Sequence, residues 1–212
     1  KGTLDKYIGD AVMGFWCAPV DVANNAQCAV KAASDMMVKL GELNKQFKDK
    51  YGITIDIGIG VNTGEVSVGN FGSSKVFEYT VIGDNVNLAS RLEGLNKMYG
   101  THIIISETTR EGLQEDGFFV REIDTVKVKG KQKPVKIFEV VPDTAENTAL
   151  KASLAVFNDA LTDYYGQKWD GSIQKFNEFR VKNAGVKVSS EMIERCEHFK
   201  NNTPGTDWDG SW

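Results

Sequence analysis

Asn87 and Arg91 are four residues apart in a stretch with helical apolar spacing, so we expect their side chains on one face of a helix. A guanidinium can bind negative charge that develops during a reaction, and a carboxamide can orient an attacking hydroxyl oxygen. This pair therefore suits chemistry on a phosphate. The alternative is a solvated arginine on an ordinary amphipathic helix, and the spacing alone leaves it open.

Two glycine-bearing turns carry further charged side chains. Asp10 follows Gly9 between two short apolar runs, and its carboxylate suits a hard cation such as Mg²⁺. Lys129 stands beside Gly130 in a stretch with four lysines in seven positions, where it can bind phosphate. Taken alone, Gly-Asp is typical of a simple turn, and such lysines usually protect the edge of a hairpin.

Composition argues against several other kinds of site. The net charge of −4 supplies no basic face for nucleic acid. His102 and His198 have no second ligand nearby, which argues against a histidine metal site or a Ser-His-Asp triad. Three cysteines without metal-ligand spacing indicate free thiols in a reducing compartment, and no apolar run is long enough to span a bilayer. We expect a soluble, cytoplasmic chain.

Strands and helices mix over residues 1–141 without regular strand–helix–strand units, which predicts an α+β fold. The runs 53–61 and 65–68 are expected to pair as a hairpin. The predicted strands are Leu4–Ile8, Ala11–Trp16, Ile53–Val61, Glu65–Val68, Phe77–Ile82, His102–Ile105, Phe119–Val128 and Val135–Val141. The predicted helices are Val22–Phe47, Asn85–Met98 with Asp84 as its N-cap, and a short helix capped by Ser106 and ending at Leu113.

Residues 147–202 differ from the preceding part, because they have helical apolar spacing and no strand-like run. Gly166 and Gly185 divide this stretch into three predicted helices. The helices resemble one tetratricopeptide-type repeat with an additional helix, although the repeat signature is weak. We therefore expect two units, residues 1–143 and a helical extension at 147–212.

Several motifs, in this order and at these separations, closely resemble the class III adenylyl/guanylyl cyclase domain over residues 1–141. The resemblance implies a ferredoxin-like βαββαβ core and a cyclase, a phosphorus–oxygen lyase that forms a cyclic nucleotide and pyrophosphate for signal transduction. The motifs are Lys6–Met13 (KYIGDAVM), Gly58–Glu65 (GIGVNTGE), Val68–Gly72 (VGNFG), Tyr79–Leu92 (YTVIGDNVNLASRL) and Val128–Lys131 (VKGK).

By this resemblance Asp10 binds metal, Asn87 and Arg91 stabilise the transition state, and Lys129 binds the β- and γ-phosphates. The complete family domain uses two divalent ions, Mg²⁺ or Mn²⁺, which suit attack of the ribose 3′-hydroxyl on the α-phosphate and departure of pyrophosphate. Family members work as head-to-tail dimers, so the resemblance implies a homodimer in which Asp10 comes from one chain and the other site residues from its partner.

The resemblance also assigns base recognition to Lys6 and Thr80. Adenine offers N1 as an acceptor and its 6-amino group as a donor, which a lysine donor and a hydroxyl acceptor complement. Guanine presents the inverse pattern, and guanylyl cyclases of the family carry glutamate at the first position. The pair therefore indicates ATP as the substrate and 3′,5′-cyclic AMP as the product, with a guanylyl cyclase as the less favoured alternative.

In the family, a strand with a second metal-binding aspartate and two helices precede the part that matches Lys1 onward. We therefore expect these 212 residues alone to be inactive. A different hypothesis is a non-catalytic cyclase fragment that binds a nucleotide or a protein. The helices and the final Trp208–Trp212 segment resemble the end of some bacterial cyclases, which hints at a bacterial source and at anchoring of a longer parent chain to the inner membrane.

Overall fold

The computed structural model describes residues 2–73, 75–127, 134–184 and 186–212. Its strands are β1 (Thr3–Ile8), β2 (Ala11–Phe15), β3 (Ile59–Val61), β4 (Ser67–Gly72), β5 (Phe77–Ile82), β6 (Ile103–Ser106), β7 (Phe118–Val126) and β8 (Val135–Pro142). Its α-helices are α1 (Asn25–Tyr51), α2 (Asp84–Tyr99), α3 (Glu107–Glu111), α4 (Thr148–Ala152), α5 (Leu154–Tyr165), α6 (Trp169–Lys182) and α7 (Lys187–Asn201). The predicted α+β class with a helical C-terminal extension is confirmed.

A four-stranded sheet in the order β3-β6-β8-β7 forms the centre of the molecule. β3 and β6 are parallel, whereas β8 is antiparallel to both β6 and β7. Alternating side chains of β6 point to opposite faces. Ile103 and Ile105 join Val30 of α1 in one hydrophobic cluster, whereas Ile104 joins α2 and the extension in another. The sheet is therefore covered by helices on both faces.

α2 lies unusually close to the sheet because β3 carries a glycine. A Cβ atom added at Gly60 would come within 2.1 Å of the Ala89 carbonyl oxygen and 2.3 Å of the Glu93 nitrogen, both in α2. A side chain cannot fit there. Asn96 ties the same helix to the sheet, since its Nδ2 donates to the Ile59 carbonyl at 3.1 Å. Gly60 and Asn96 together fix the distance between α2 and β3.

Two hairpins, β1-β2 and β4-β5, form separate antiparallel two-stranded sheets. The turn of the first hairpin contains Gly9, whose φ of 64° lies in the left-handed region that favours glycine. Side chains join the hairpins to each other: the rings of Phe15 and Tyr79 have centroids 6.2 Å apart. The first hairpin is thereby held against β5, which leads directly into α2.

The extension packs against the sheet rather than forming an isolated bundle. Its buried aromatic residues share one hydrophobic cluster with Leu92 of α2 and with Ile104, Ile123 and Ile137 of the sheet. The rings of Phe157 and Phe179 meet edge-on at 4.9 Å. In the part of the chain that the structure describes, none of the helices has both the length and the apolar composition needed to cross a membrane.

The predicted hairpin of 53–61 with 65–68 is wrong. Strand structure begins at Ile59, because the side chain of Asn44 in α1 bonds both the amide and the carbonyl of Ile55 at 2.8 and 2.7 Å and holds that segment beside the helix. β3 then pairs with β6, and β4 pairs with β5.

The predicted cap of α2 at Asp84 is also wrong. Gly83 is the N-cap, with a φ of 148° that favours glycine, and Asp84 lies in the first turn, where its charge suits the helix dipole. In contrast, the predicted cap of α3 is confirmed, because Ser106 accepts a hydrogen bond from the Thr109 amide.

Candidate active site

Lys6 of β1 and Thr80 of β5 are brought together by two carboxylates. The Lys6 Nζ lies 2.5 Å from Glu78 Oε2 and 3.8 Å from Asp5 Oδ1. The Thr80 hydroxyl donates to Asp5 Oδ2 at 2.6 Å. Each of the two predicted base-reading residues is thus bound to an acid on the other's strand, which fixes the four side chains as one polar cluster.

Burial and charge in this cluster define what Lys6 and Thr80 can offer a ligand. The Asp5 side chain is 1% exposed, whereas that of Lys6 is 32% exposed. The hydrogen bond to Glu78, assisted by the charge of Asp5, raises the pKa of Lys6, which therefore stays a cationic donor. Because the Thr80 hydroxyl directs its proton to Asp5, its lone pairs remain to accept a hydrogen bond.

Asp5 and Glu78 were missed by the sequence analysis, although a signal for one of them was present. Glu78 and Thr80 are two positions apart on β5, so they lie on one face of the strand. An acid beside a predicted lysine–threonine pair could have been recognised as the partner of Lys6. Asp5 had no such signal, because an aspartate at the edge of a short hairpin is indistinguishable from a solvated one.

Asn87 and Arg91 lie in the first two turns of α2, and both are exposed. Asn62 and Asn85, which the sequence analysis also missed, hold the start of this helix. The Asn62 Nδ2 donates to the Asn85 carbonyl at 3.0 Å, and the Asn85 Nδ2 donates to the Glu65 carbonyl at 2.9 Å. Because α2 begins two residues after β5 ends, these bonds and the β5 cluster hold the N-terminal end of the helix that carries Asn87 and Arg91.

Asp10 is exposed in the turn between β1 and β2, and the predicted Lys129 lies outside the described residues. No group of three or more His, Cys, Asp or Glu residues able to hold a metal ion occurs in 2–73, 75–127, 134–184 and 186–212. Asp10 is a hard oxygen donor, so its chemistry fits a divalent cation that takes its remaining ligands from phosphate oxygens or water. It supplies one carboxylate.

A family model described as the Adenylate and Guanylate cyclase catalytic domain matches residues 6–141, which include all of these site positions except Asp5. The chain belongs to this family. The predicted class III cyclase fold is therefore confirmed, and α2, β5 and the first hairpin are parts of a cyclase domain. The helical extension begins after the matched region ends.

Relatives of the cyclase domain include proteins of very different length. An adenylate cyclase of Anabaena cylindrica is 41% identical over 145 residues, which are 66% of this chain and 28% of that protein. A terminal-differentiation-specific adenylate cyclase of Dictyostelium discoideum is 40% identical over 149 residues, 69% of this chain and 7% of that protein. The chain thus spans less than a third of either curated relative.

Solved structures similar to this cyclase domain include enzymes named for either purine. The guanylyl cyclase Cya2 matches with a TM-score of 0.57 at 37% identity, over 69% of this chain and 73% of that one. The adenylyl cyclase CyaB from P. aeruginosa matches with a TM-score of 0.58 at 37% identity, over 68% and 74%. Since these two are equally similar, the choice of base must be argued from the site itself.

Proposed function

We propose that the protein is an adenylyl cyclase that converts ATP to 3′,5′-cyclic AMP and pyrophosphate. The observation that carries this proposal is the cluster of Lys6, Thr80, Asp5 and Glu78, which presents one cationic donor and one hydroxyl acceptor side by side. Family membership and the adenylate cyclases among the relatives support the reaction class.

The hydrogen-bonding groups of the cluster complement those of adenine. An ammonium group has three N–H donors, so Lys6 can keep Glu78 and donate another hydrogen to N1 of the ring. Thr80 keeps its bond to Asp5 and accepts from the 6-amino group. Guanine would place its N1–H against the ammonium and its O6 against a hydroxyl whose proton already serves Asp5. Two unpaired polar contacts would result, and each would cost binding free energy once the base has displaced water from the site.

The catalytic work falls to the exposed face of α2. We assign Arg91 to the negative charge that grows on the α-phosphate oxygens, and Asn87 to orientation of the ribose or of its attacking 3′-hydroxyl. Lys129 is assigned to the β- and γ-phosphates. Asp10 would hold Mg²⁺ or Mn²⁺ together with phosphate oxygens; in this family of reactions, such ions activate the nucleophile and neutralise the leaving group. The remaining contribution of the chain is to bind ATP and to orient its ribose and phosphates.

We further propose that two copies associate, with the site completed across the interface. The support is the set of large apolar side chains that are exposed on the two hairpins: Leu4, Tyr7, Ile8, Val12, Phe77 and Ile82. Exposed apolar surface that exceeds a few scattered side chains is typical of association sites in proteins. We assign catalysis to residues 1–143 and a tetratricopeptide-like supporting role to residues 147–212, and we place the catalytic part in the cytoplasm.

The test is a cyclase assay with ATP and GTP, each with Mg²⁺ and with Mn²⁺, on the longest chain that the gene encodes. We expect cyclic AMP from ATP and little cyclic GMP. The matched variant Thr80→Val keeps the shape of residue 80 and removes its hydroxyl, so ATP should lose its advantage. Equal use of both nucleotides by the wild type would refute the base assignment, and the absence of any cyclic product would refute the proposed function.

A further inference from the structure

Three side chains from distant parts of the chain form a closed polar triangle inside the hydrophobic core. Arg195 of α7 donates from Nη1 to Asp124 Oδ2 of β7, and the hydroxyl of Tyr99, the last residue of α2, donates to the same oxygen. The Arg195 Nη2 donates in turn to the Tyr99 oxygen at 3.1 Å. The other Asp124 oxygen accepts the Thr125 amide at 2.8 Å. All three elements are thus joined at one point.

The triangle is shielded from water. Asp124 and Tyr99 are fully buried, and the Arg195 side chain is 5% exposed. The ring of Trp212 covers the guanidinium at 5.4 Å from its centroid. Burial and the neighbouring Asp124 raise the pKa of Tyr99. Burial by itself lowers the pKa of Arg195. The charge of Asp124 and the hydrogen bonds to Asp124 and Tyr99 have a larger, opposite effect, so the pKa of Arg195 is raised. Tyr99 therefore stays protonated and Arg195 stays charged at neutral pH.

Stability alone does not account for such a cluster. A buried ion pair costs desolvation that its attraction barely repays, and well-packed apolar residues of similar volume stabilise a fold equally well or better. Hydrogen bonds depend on distance and angle, so they restrict the relative position of the elements they join more than apolar packing does. The cluster is therefore suited to setting position, which is the best-attested use of buried polar groups.

The element that the triangle holds is the one that carries the proposed catalytic pair. Tyr99 follows Arg91 by eight residues in a continuous helix, which is about 12 Å along the axis. Because Asn87, Arg91 and Tyr99 belong to one continuous helix, a shift or rotation of the helix at Tyr99 also displaces Arg91 and Asn87. Gly60 and Asn96 set how far α2 lies from β3, and Asn62 and Asn85 hold its N-terminal end. The triangle attaches its C-terminal end to β7 and α7.

We propose that the C-terminal helices hold α2 at one axial position through Arg195, Asp124 and Tyr99, and that these three are positioning residues for Asn87 and Arg91. This rests on the proposed function for its catalytic consequence. Misplacement of a catalytic group by about 1 Å costs up to about a hundredfold in rate. The C-terminal extension would then help to position the active-site residues on α2.

Two variants test the proposal without leaving a buried charge unpaired. Tyr99→Phe removes one hydroxyl and keeps the ring, and the double variant Arg195→Met with Asp124→Leu removes both charges at similar volume. We expect melting temperatures within about 5 °C of the wild type. We also expect a kcat that is about tenfold to a hundredfold lower, with an ATP KM within about twofold. Lys200→Ala is the control, because Lys200 pairs with Asp170 on the exposed side of α7.

Amide hydrogen exchange in residues 84–99 gives a readout that needs no catalysis. In both variants exchange there should rise about tenfold, while α1 and the Lys200→Ala variant stay at wild-type rates. Unchanged exchange in α2 overturns the proposal, as does an activity loss that merely follows a loss of melting temperature. These assays use the longest chain that the gene encodes. If its wild type forms no cyclic nucleotide, the proposed function fails, and exchange in α2 still decides whether the triangle holds the helix.

Discussion

The pair of Arg121 and Glu139 offers a sharp test of the packing between sheet and extension. These residues face each other on β7 and β8, and the Arg121 Nε and Nη2 lie 2.6 and 2.5 Å from Glu139 Oε2. The guanidinium is 4.7 Å from the ring centroid of Phe157 and 5.4 Å from that of Phe179. The side chains of Arg121 and Glu139 are 1% and 9% exposed. The extension therefore seals this ion pair from water.

Replacement of Arg121 by Met leaves the Glu139 carboxylate buried without its partner. Breaking a buried pair in this way costs about 3–5 kcal/mol, a large part of the roughly 5–15 kcal/mol that stabilises a typical domain. At roughly 2–4 °C per kcal/mol for a chain of this size, the melting temperature should fall by about 6–20 °C. The double variant Arg121→Met with Glu139→Leu removes both charges and should recover most of the loss.

Urea unfolding followed by circular dichroism, with a check that the m-value is unchanged, measures these free energies. Lys182→Ala is the matched control, because Lys182 and Glu178 form an exposed pair at 2.9 Å with both side chains 54% exposed, worth less than about 0.5 kcal/mol. If Arg121→Met costs no more than this control, the pair is solvated and the extension does not seal it. If the double variant is as unstable as the single one, the loss comes from packing rather than from the unpaired charge.

Three further outcomes are expected. Lys6→Glu should lower kcat/KM for ATP by about tenfold or more, because it sets an acceptor against N1 of adenine; unchanged ATP use in the cyclase assay would contradict the base assignment. Arg91→Ala should lower kcat by about 10²–10³-fold with little change in KM, and a pure KM effect would mean that Arg91 binds ground-state ATP instead. The thiol of Cys196 is fully buried, and burial raises its pKa; mass spectrometry after iodoacetamide treatment should find Cys17 and Cys28 modified before Cys196, and early modification of Cys196 would show that α7 opens.

Elements with a local signal could be predicted from the sequence. The spacing of Ala26, Ala29, Val30 and Ala33 predicted α1, and all four residues are buried. The cap at Ser106 was also predictable, because a serine followed by a helix needs no distant partner. The conformation of the segment before Ile59 could not be predicted in this way. Its β-branched residues predict a strand, but its conformation depends on hydrogen bonds from Asn44, in α1, to Ile55.

The candidate site also contains residues that have a local sequence signal and residues that have none. Lys6, Asp10, Thr80, Asn87 and Arg91 stand in short motifs, so their positions could be read directly, whereas the groups that orient them could not. Asp5 reaches Thr80 across 75 residues, and Arg195 reaches Tyr99 across 96. Contacts of that separation depend on how the sheets and helices pack, which no local pattern of residue types expresses.

The family match ends near residue 141, but this boundary does not separate two independently stable parts. One hydrophobic cluster joins the sheet to the extension. Phe157 and Phe176 pack in the same cluster as Ile104, Ile123 and Ile137, so neither part can melt while the other keeps its apolar surface covered. Heating should therefore give one cooperative calorimetric transition for both parts. A chain that stops after Pro142 would turn one face of its sheet into an open apolar surface, and it would associate before it could be assayed.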